Sequence, residues 1–499
     1  MYLIVMLVFT TFWHRIKRSS KILFPIKRSE FSLFFSISSL MLLILFNTSI
    51  LKTLKDTLII ADKNSGAEVV NFLKIFVVVP LSFIFVFLYS KACNSIDNRF
   101  IFYIVIGFFT VFLLTFALFL YPNREFLHPS LEKINYLKSM YPRLKWIMPI
   151  YGLWTYSLFY SFADLWCSMC LSLLFWQFAN QIISKEDSKR FYGSFAIIGY
   201  LGLIIAGYVV KSIFKMTNAV KLKNVTSIVS ENAFDTRLIK IILITCACNC
   251  LIISIYYFIT HHLSKKAISF GVKKSKTSLL NSFKIIFKQK QLMYIMFLVF
   301  CYNFSINVIE VTWKSQLKKF AGNKSNYIFY VGTINQVVGY ATIFLGFISN
   351  IMFQRCSWFT CAMLTPILAC FTSLLFLSSI AIKYVGWKTI LGFSSLGVCV
   401  FVGIVHNVLS KSGKYVFFDQ TKEMSYMHLD QDSKTKGKAA VDVAGSRLSK
   451  SLSGQIQAIL LIIIPNSSQI KIFPYLGALL MLIFALWFWS LKKLDKMHK

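Results

Sequence analysis

Long apolar stretches separated by short polar segments dominate this chain. Twelve of them approach or exceed the roughly 20 residues that a helix needs to cross the hydrocarbon core of a bilayer. The predicted spans are 31–51, 69–90, 100–121, 147–180, 191–213, 238–260, 291–312, 327–350, 357–382, 387–409, 439–464 and 471–490. Backbone groups inside a bilayer need hydrogen-bond partners within their own segment, which favours helices. The pattern therefore predicts an all-α polytopic membrane protein.

The fourth span, 147–180, is long for one crossing, so both a kinked helix and a tight hairpin fit it. An even number of spans puts both termini on one side of the membrane. Basic residues are concentrated at both ends of the chain and place that side in the cytoplasm. At the N-terminus the apolar run precedes the basic residues, the reverse of a signal peptide, which indicates a cytoplasmic tail.

The loop between the sixth and seventh spans is strongly basic. Residues 261–290 contain eight lysines and no acidic residue, as expected of a cytoplasmic linker. The predicted organisation is a tail at 1–30, a six-helix half at 31–260, the linker at 261–290, a second six-helix half at 291–490 and a tail at 491–499. Two such halves are typical of major-facilitator-like transporters, in which the substrate site lies between the halves near the midplane.

The composition limits the classes of binding partner that we expect. The net charge is +35, from 54 basic and 19 acidic residues, and the mean hydropathy is +0.64. Basic cytoplasmic loops account for this charge, and signatures of RNA-binding domains or zinc fingers are absent, so nucleic acid is not an expected partner. The lipid bilayer is. The seven histidines form no metalloprotease pattern, and the cysteines scatter through apolar segments, so we expect no metal site and no cofactor.

Ionisable residues inside spans are costly and by default mark a substrate or ion pathway. In "LKTLKDTLII", Lys52 and Asp56 share one helix face and Lys55 lies on a neighbouring face. The alternative is a helix end at the membrane surface with a local ion pair. Asp164 stands alone in a long uncharged stretch, so it faces a polar cavity or a cation unless it is the tip of a hairpin.

A third charged group is Glu310 and Lys314 in "VIEVTWKSQLKKF", spaced for a helical ion pair. Trp313 beside them is compatible with a second interpretation, a helix end anchored at the membrane surface. Lysine acts as a point charge for phosphate or carboxylate. Several lysines near apolar helices, with acids beside them, favour a multiply charged anion over a sugar or a lipid as the ligand.

The stretch "KTKGKAA" resembles a phosphate-binding loop only superficially. A P-loop requires G-x-x-x-x-G-K-[ST] after a strand. Here Ala439 follows Gly437 and Lys438, and Asp432 occupies the position of the first glycine. The pattern instead indicates a polar loop that leads into a helix, whose N-terminal amides and positive dipole end can face an anion.

Four blocks, in order along the chain, resemble the nucleotide transporters of the ATP/ADP antiporter type found in plastids, intracellular bacteria and microsporidia. They are "LKTLKDTLII", "ADLWCSMCLSLLFWQFANQI", "VIEVTWKSQLK" and "KYVFFDQTKEMSYMHLDQDSKTKGKAAVDVAGSRLSKS". The resemblance implies a major-facilitator-like fold and exchange of ATP for ADP, or import of other nucleotides. It also implies no enzymatic activity and a multi-pass location in the plasma or inner membrane of a parasite or bacterium.

In that family, charged residues of these blocks are needed for transport. Matched by motif, they are Lys55, Asp164, Glu310 and a lysine of "KGKAA", with Lys438 preferred over Lys436. The predicted substrate-binding set further includes Lys52, Asp56, Asn180 and Lys314. This chain has Asp164 where the family usually has glutamate, which leaves cation coupling and substrate choice open. Three alternatives follow: strict exchange, proton-coupled net import and, remotely, a membrane-embedded enzyme. We expect a monomer.

Overall fold

The computed structural model describes residues 28–96, 98–183, 185–214, 227–263, 289–385, 389–390, 393–426, 429, 441, 445–464 and 467–498. Twelve long helical segments account for most of them. The first six are α1 (Phe31–Ile60), α2 (Ala67–Leu73 and Val79–Ser95, joined by the π-helical turn Lys74–Val78), α3 (Asn98–Thr115, extended by the π-helical turn Phe116–Leu120), α4 (Trp154–Met169, the π-helical turn Cys170–Phe175 and Trp176–Ile182), α5 (Lys185–Ile213) and α6 (Ser227–Phe258, then Ile259–Leu263).

The last six follow residues 264–288. They are α7 (Lys290–Ala321), α8 (Lys324–Arg355), α9 (Trp358–Tyr384), α10 (Ser395–Gly413, the π-helical turn Lys414–Phe418 and Asp419–Tyr426), α11 (Ser446–Ile463) and α12 (Gln469–His498). Two-residue strands, β1 (Thr389–Ile390) and β2 (Phe393–Ser394), pair antiparallel before α10. Short helices between α3 and α4 are Arg124–Leu127, Leu131–Met140 and Met148–Gly152, with single 3₁₀ turns at Arg28–Glu30 and Pro142–Leu144.

Each predicted span corresponds to one of these helices, and the all-α polytopic prediction is confirmed. Within the described residues, nine helices are long and apolar enough to cross a membrane, and α5 and α11 contain shorter apolar segments. Because α4 runs unbroken from Trp154 to Ile182, the hairpin alternative for the fourth span is wrong. Residues 1–27 of the predicted tail and 264–288 of the predicted linker lie outside the described residues.

The end of α1 was predicted nine residues too early. The helix runs past 51 to Ile60, so Lys52, Lys55 and Asp56 lie within it and not at a helix end. The sequence suggested an end there because charged residues interrupt the apolar run. The helix continues because Lys55 and Asp56 are both buried against charged partners from other helices.

The turn between α7 and α8 shows how short loops fix the helix order. Gly322 has φ +74°, in the left-handed region that glycine adopts without strain, and it ends α7. Asn323 then caps α8 by accepting a hydrogen bond from the Asn326 amide at 2.7 Å. The two helices are therefore joined by two residues and run antiparallel.

Glycines bring α5 and α8, which belong to different six-helix sets, into close contact. A Cβ atom at Gly207 would lie 2.6 Å from the Gln336 Cβ, and one at Gly332 would lie 2.6 Å from Val210 Cγ1. Gly339 has the same relation to Ile204. Small residues let membrane helices approach to backbone contact. This glycine crossing is one of the contacts that hold the two sets together.

The helix ends at Ile60, Ala67, Ala321 and Lys324 define one end of the bundle, which we call the far end. Here Lys318 on α7 donates hydrogen bonds to the carbonyl oxygens of Asp62 (2.7 Å) and Ser65 (2.5 Å). Lys324 on α8 forms an ion pair with the Asp62 carboxylate at 2.8 Å. We call these four residues the far-end latch. Because they join the α1–α2 loop to α7 and α8, the two six-helix sets are closed against each other at this end.

Candidate functional site

The first site pair lies between α1 and α4. The ammonium of Lys55, which is buried, donates a hydrogen bond to the Asp164 carboxylate and lies 4.1 Å from the centre of the Tyr160 ring. The Asp164 side chain is 40% exposed, although it lies in the middle of a long helix. Asp164 is therefore paired with a cation on one side and accessible on the other.

A chain of alternating charges connects α1 to the last six helices. Lys314 on α7 lies 2.8 Å from the Asp56 carboxylate and 3.0 Å from Glu310 Oε1. Glu310 also pairs with Lys411 of α10 at 3.1 Å. The predicted pair between residues 310 and 314 is present, but Asp56 pairs across the halves with Lys314. Asp56 therefore belongs to a charge network between helices and not to a local pair at a helix end.

A lysine on α2 adds a second connection between the sets of helices. Lys74 Nζ donates a hydrogen bond to Asn307 Oδ1 of α7 at 2.8 Å. Asn307 in turn donates to the Ser453 hydroxyl of α11. Lys74 also lies within electrostatic range of Lys55 and Lys314. The connection therefore belongs to the same charged region.

Solvent reaches this region from the side opposite the far end. Lys52 and Lys450 are exposed, and each lies within electrostatic range of Asp164. Lys52 is about one helical turn nearer to the start of α1 than Lys55, and Lys450 lies at the start of α11. On α10, Lys414 lies 3.7 Å from Asp419. The region is therefore accessible to solvent on this side and closed at the far end.

We call these ionisable residues the central cluster. Its seven lysines and four acids leave a formal excess of three positive charges. The members are Lys52, Lys55, Lys74, Lys314, Lys411, Lys414, Lys450, Asp56, Asp164, Glu310 and Asp419. Both six-helix sets contribute to it, so any change in their relative position changes its shape. Such a cluster can bind a multiply charged anion between the two six-helix sets.

Six of the nine residues predicted for the site meet in the central cluster: Lys52, Lys55, Asp56, Asp164, Glu310 and Lys314. Asn180 belongs to the last turns of α4, and its side chain lies outside the described set. Lys436 and Lys438 also lie outside the described residues.

Two tryptophans beside charged residues of the cluster are buried. Trp313 is 2% exposed, and its Nε1 donates a hydrogen bond to the Val400 carbonyl at 3.2 Å, so it is not a membrane-surface anchor. Trp166, two residues after Asp164, is 1% exposed within the packed core. Neither indole lies open to the solvent-filled side of the cluster.

The sequence interpretation did not include Lys74, Lys411, Lys414 or Lys450. Lys74 is the clearest omission, because it is the single charged residue in the predicted span 69–90 and the rule that singled out Asp164 applies to it equally. Lys411 lies just beyond the predicted end of the tenth span, at 409, so its position inside the long helix α10 was hidden.

Comparisons with known proteins agree along the whole chain. The family model described as TLC ATP/ADP transporter matches residues 12–498. The ADP,ATP carrier protein 3 of Rickettsia bellii is 36% identical over 504 residues, which cover 97% of this chain and 98% of the relative. The protein of the same name from Rickettsia typhi is 36% identical, covering 96% of this chain and 97% of the relative.

Solved structures match in fold. A D-xylose–proton symporter superposes with a TM-score of 0.57 at 13% identity, covering 93% of this chain and 97% of its own. A bacterial homologue of the iron transporter ferroportin, in an inward-facing state, gives a TM-score of 0.56 at 13% identity over 92% of this chain and 98% of its own. At such low identity these matches show a shared fold and nothing about substrate.

Proposed function

Because the chain belongs to the TLC ATP/ADP transporter family, we propose that it exchanges ATP for ADP across a membrane by alternating access. It is a multi-pass integral membrane protein of a transporter family and not an enzyme. The proposed location is the plasma or inner membrane of a bacterium or intracellular parasite, with both termini in the cytoplasm and a monomer as the working unit.

The observation that carries the proposal is the excess of three positive charges in the central cluster, contributed by both six-helix sets. ADP and ATP carry roughly three and four negative charges near neutral pH. The excess therefore has the sign that a nucleotide needs, while the carboxylates satisfy the other lysines when the site is empty. We propose that Lys55 and Lys438 hold the phosphates, with Lys436, Lys52 and Lys314 near them.

Alternating access supplies the transport step. In the described conformation the far-end latch is closed and the cluster is solvated from the other side. Rocking of the two six-helix sets would open the far end and close the solvated side. A ligand shifts such an equilibrium only by its different affinity for the two states. In the empty protein, the unbalanced lysine charge would raise the barrier to rocking. In an exchanger, the bound nucleotide would neutralise that charge and lower the barrier.

Uptake by bacteria that express the chain tests the proposal. Radiolabelled ATP, ADP, GTP and NAD are offered with and without preloaded nucleotide, and with a protonophore. Exchange requires uptake that depends on preloaded ATP or ADP and survives the protonophore. Loss of uptake with the protonophore would support the alternative, proton-coupled net import of broader specificity. Absence of nucleotide uptake in correctly inserted protein would reject both.

Two substitutions test the proposed phosphate lysines separately. Lys55→Ala and Lys438→Ala should each reduce exchange by up to roughly 100-fold, since a charge-assisted contact contributes roughly 3 kcal/mol at the upper end. Lys63→Ala is the matched control, because Lys63 is an exposed lysine in the α1–α2 loop outside the central cluster. Membrane insertion is measured by immunoblot of the membrane fraction. Unchanged exchange in either variant would remove that lysine from the site.

A further inference from the structure

We propose that Lys74 is a further phosphate ligand, which exchanges the Asn307 amide for a phosphoryl oxygen when a nucleotide binds. This inference rests on the proposed function and extends it to a residue of α2. Lys74 lies at the first position of the π-helical turn Lys74–Val78, between the two α-helical parts of α2. Such turns are frequent at functional sites.

Its charge lacks an acidic partner. Within the described part of the chain, Lys74 forms no ion pair, whereas Lys55, Lys314, Lys411 and Lys414 each have a carboxylate within 4 Å. Lys52 and Lys450 are exposed and are solvated by water. Lys74 is only partly exposed, and its ammonium donates a hydrogen bond to a neutral amide. A partly buried ammonium with neutral partners is costly, and an anion removes that cost.

The surroundings make that anion a strongly attractive ligand. Lys74 lies within electrostatic range of Lys55 and Lys314, on opposite sides of the boundary between the six-helix sets, and of Asp164 and Glu310, which are already paired with those two lysines. A phosphate oxygen placed among these ammonium groups would accept charge-assisted hydrogen bonds, which are shorter and about twice as strong as neutral ones. The amide oxygen of Asn307 offers only a neutral bond. Phosphate should therefore displace it.

Asn307 has a second hydrogen bond that holds it in place without Lys74. It is 7% exposed, and its amide nitrogen donates to the Ser453 hydroxyl. When Lys74 turns to a phosphate, Asn307 therefore stays fixed between α7 and α11. Its oxygen acts as a resting acceptor that competes with the ligand. Opposite effects then follow from removing the lysine and from removing its amide partner.

The test is a measurement of AMP, ADP and ATP dissociation constants by calorimetry on the purified full chain in detergent. Lys74→Gln should weaken ATP and ADP binding roughly 10- to 100-fold and AMP binding less, since fewer phosphates remain to be held. Asn307→Ala should tighten ATP and ADP binding roughly 2- to 10-fold, because the competing hydrogen bond is gone.

Lys383→Gln is the matched control. Lys383 donates to the amide oxygen of Gln316 at 2.6 Å, so it repeats the lysine–amide pair outside the central cluster. Its loss should leave all three dissociation constants unchanged. Wild-type ATP affinity in Lys74→Gln would overturn the inference. Equal weakening of ATP binding by Lys74→Gln and Asn307→Ala would also overturn it, because that pattern is expected of a purely structural contact between α2 and α7.

Two further outcomes remain decisive. If Lys74→Gln aggregates, Asn307→Ala alone decides: tighter binding supports the ligand role and weaker binding overturns it. If the wild type binds ATP and ADP while Lys74→Gln does the same, only Lys74 is removed from the site and nucleotide exchange stands. If the wild type binds none of the three nucleotides, the proposed function itself fails.

Discussion

The far-end latch gives a prediction about the balance between the two transport states. Lys318→Met removes the ammonium that donates to the carbonyl oxygens of Asp62 and Ser65 and keeps an apolar chain of similar length. The ion pair between Lys324 and Asp62 remains. The closed far end should lose stability relative to the open one, because these contacts require the α1–α2 loop to lie against α7.

The magnitude follows from the two lost bonds. A hydrogen bond from a charged group contributes roughly 1.5–3 kcal/mol, with the lower values appropriate for a partly exposed lysine that is solvated by water when the latch opens. Because water replaces these contacts when the latch opens, each bond is discounted further to about 1 kcal/mol, and the two together give about 2 kcal/mol. Since about 1.4 kcal/mol corresponds to a factor of ten, the opening equilibrium should shift roughly 30-fold.

Hydrogen–deuterium exchange detected by mass spectrometry measures this opening, because amides exchange when the structure around them opens. Exchange of the peptide that contains residues 61–68 should accelerate in Lys318→Met in detergent. Lys319→Met is the matched control. Lys319 is the next residue of the same helix, carries the same charge near the same helix end, and is exposed.

Equal exchange rates in wild-type protein and Lys318→Met at residues 61–68 would refute the reasoning. So would equal acceleration in Lys319→Met, because the effect would then come from the loss of positive charge at the end of α7 and not from the latch contacts. Acceleration spread evenly over all helices of Lys318→Met would indicate general destabilisation, which also contradicts a local latch.

Two other substitutions test packing and charge. Gly403→Ala should lower the free energy of unfolding by about 1–3 kcal/mol, because the new Cβ would lie 2.8 Å from Cγ of the rigid Trp313 indole. Gly107→Ala, with nothing within 4 Å of the new Cβ, should not lower the melting temperature. Equal melting temperatures of the two variants in detergent would contradict this. Glu310→Gln should lower the KM for ATP and slow exchange in proteoliposomes, because Lys411 loses its carboxylate partner and holds phosphate longer. Glu132 is an exposed acid outside the cluster, so Glu132→Gln should change neither value. An unchanged KM in Glu310→Gln would count against a phosphate site there.

The helices could be predicted because their lengths are imposed by the bilayer. Every predicted span has a matching helix, and the errors lie at the ends. The end of α1 shows why. Charged residues beyond 51 stop the apolar count, but Lys55 and Asp56 stay within the helix because Asp164 and Lys314 approach from other helices. Hydropathy along one segment contains no information about charges supplied by another.

The charged residues of the site could be recognised singly, but their partners could not. Asp164 was identified as an acid that needs a cation, yet its partner, Lys55, is 109 residues away. The pairing depends on how α1 packs against α4, which local spacing does not determine. Glu310 and Lys314 were predicted as a pair because they are four residues apart on one helix. Their further contacts to Lys411 and Asp56 come from tertiary packing.

The glycine crossing of α5 and α8 provides a fixed reference point for distance measurements in the transporter. Gly207, Gly332 and Gly339 let the two helices approach closely, so the crossing can serve as a pivot that moves little when the six-helix sets rock. Spin labels attached beside this crossing should therefore report nearly constant separations through a transport cycle, while pairs at the two ends of the bundle change in opposite directions. The crossing thus supplies a stationary reference against which each moving helix can be measured.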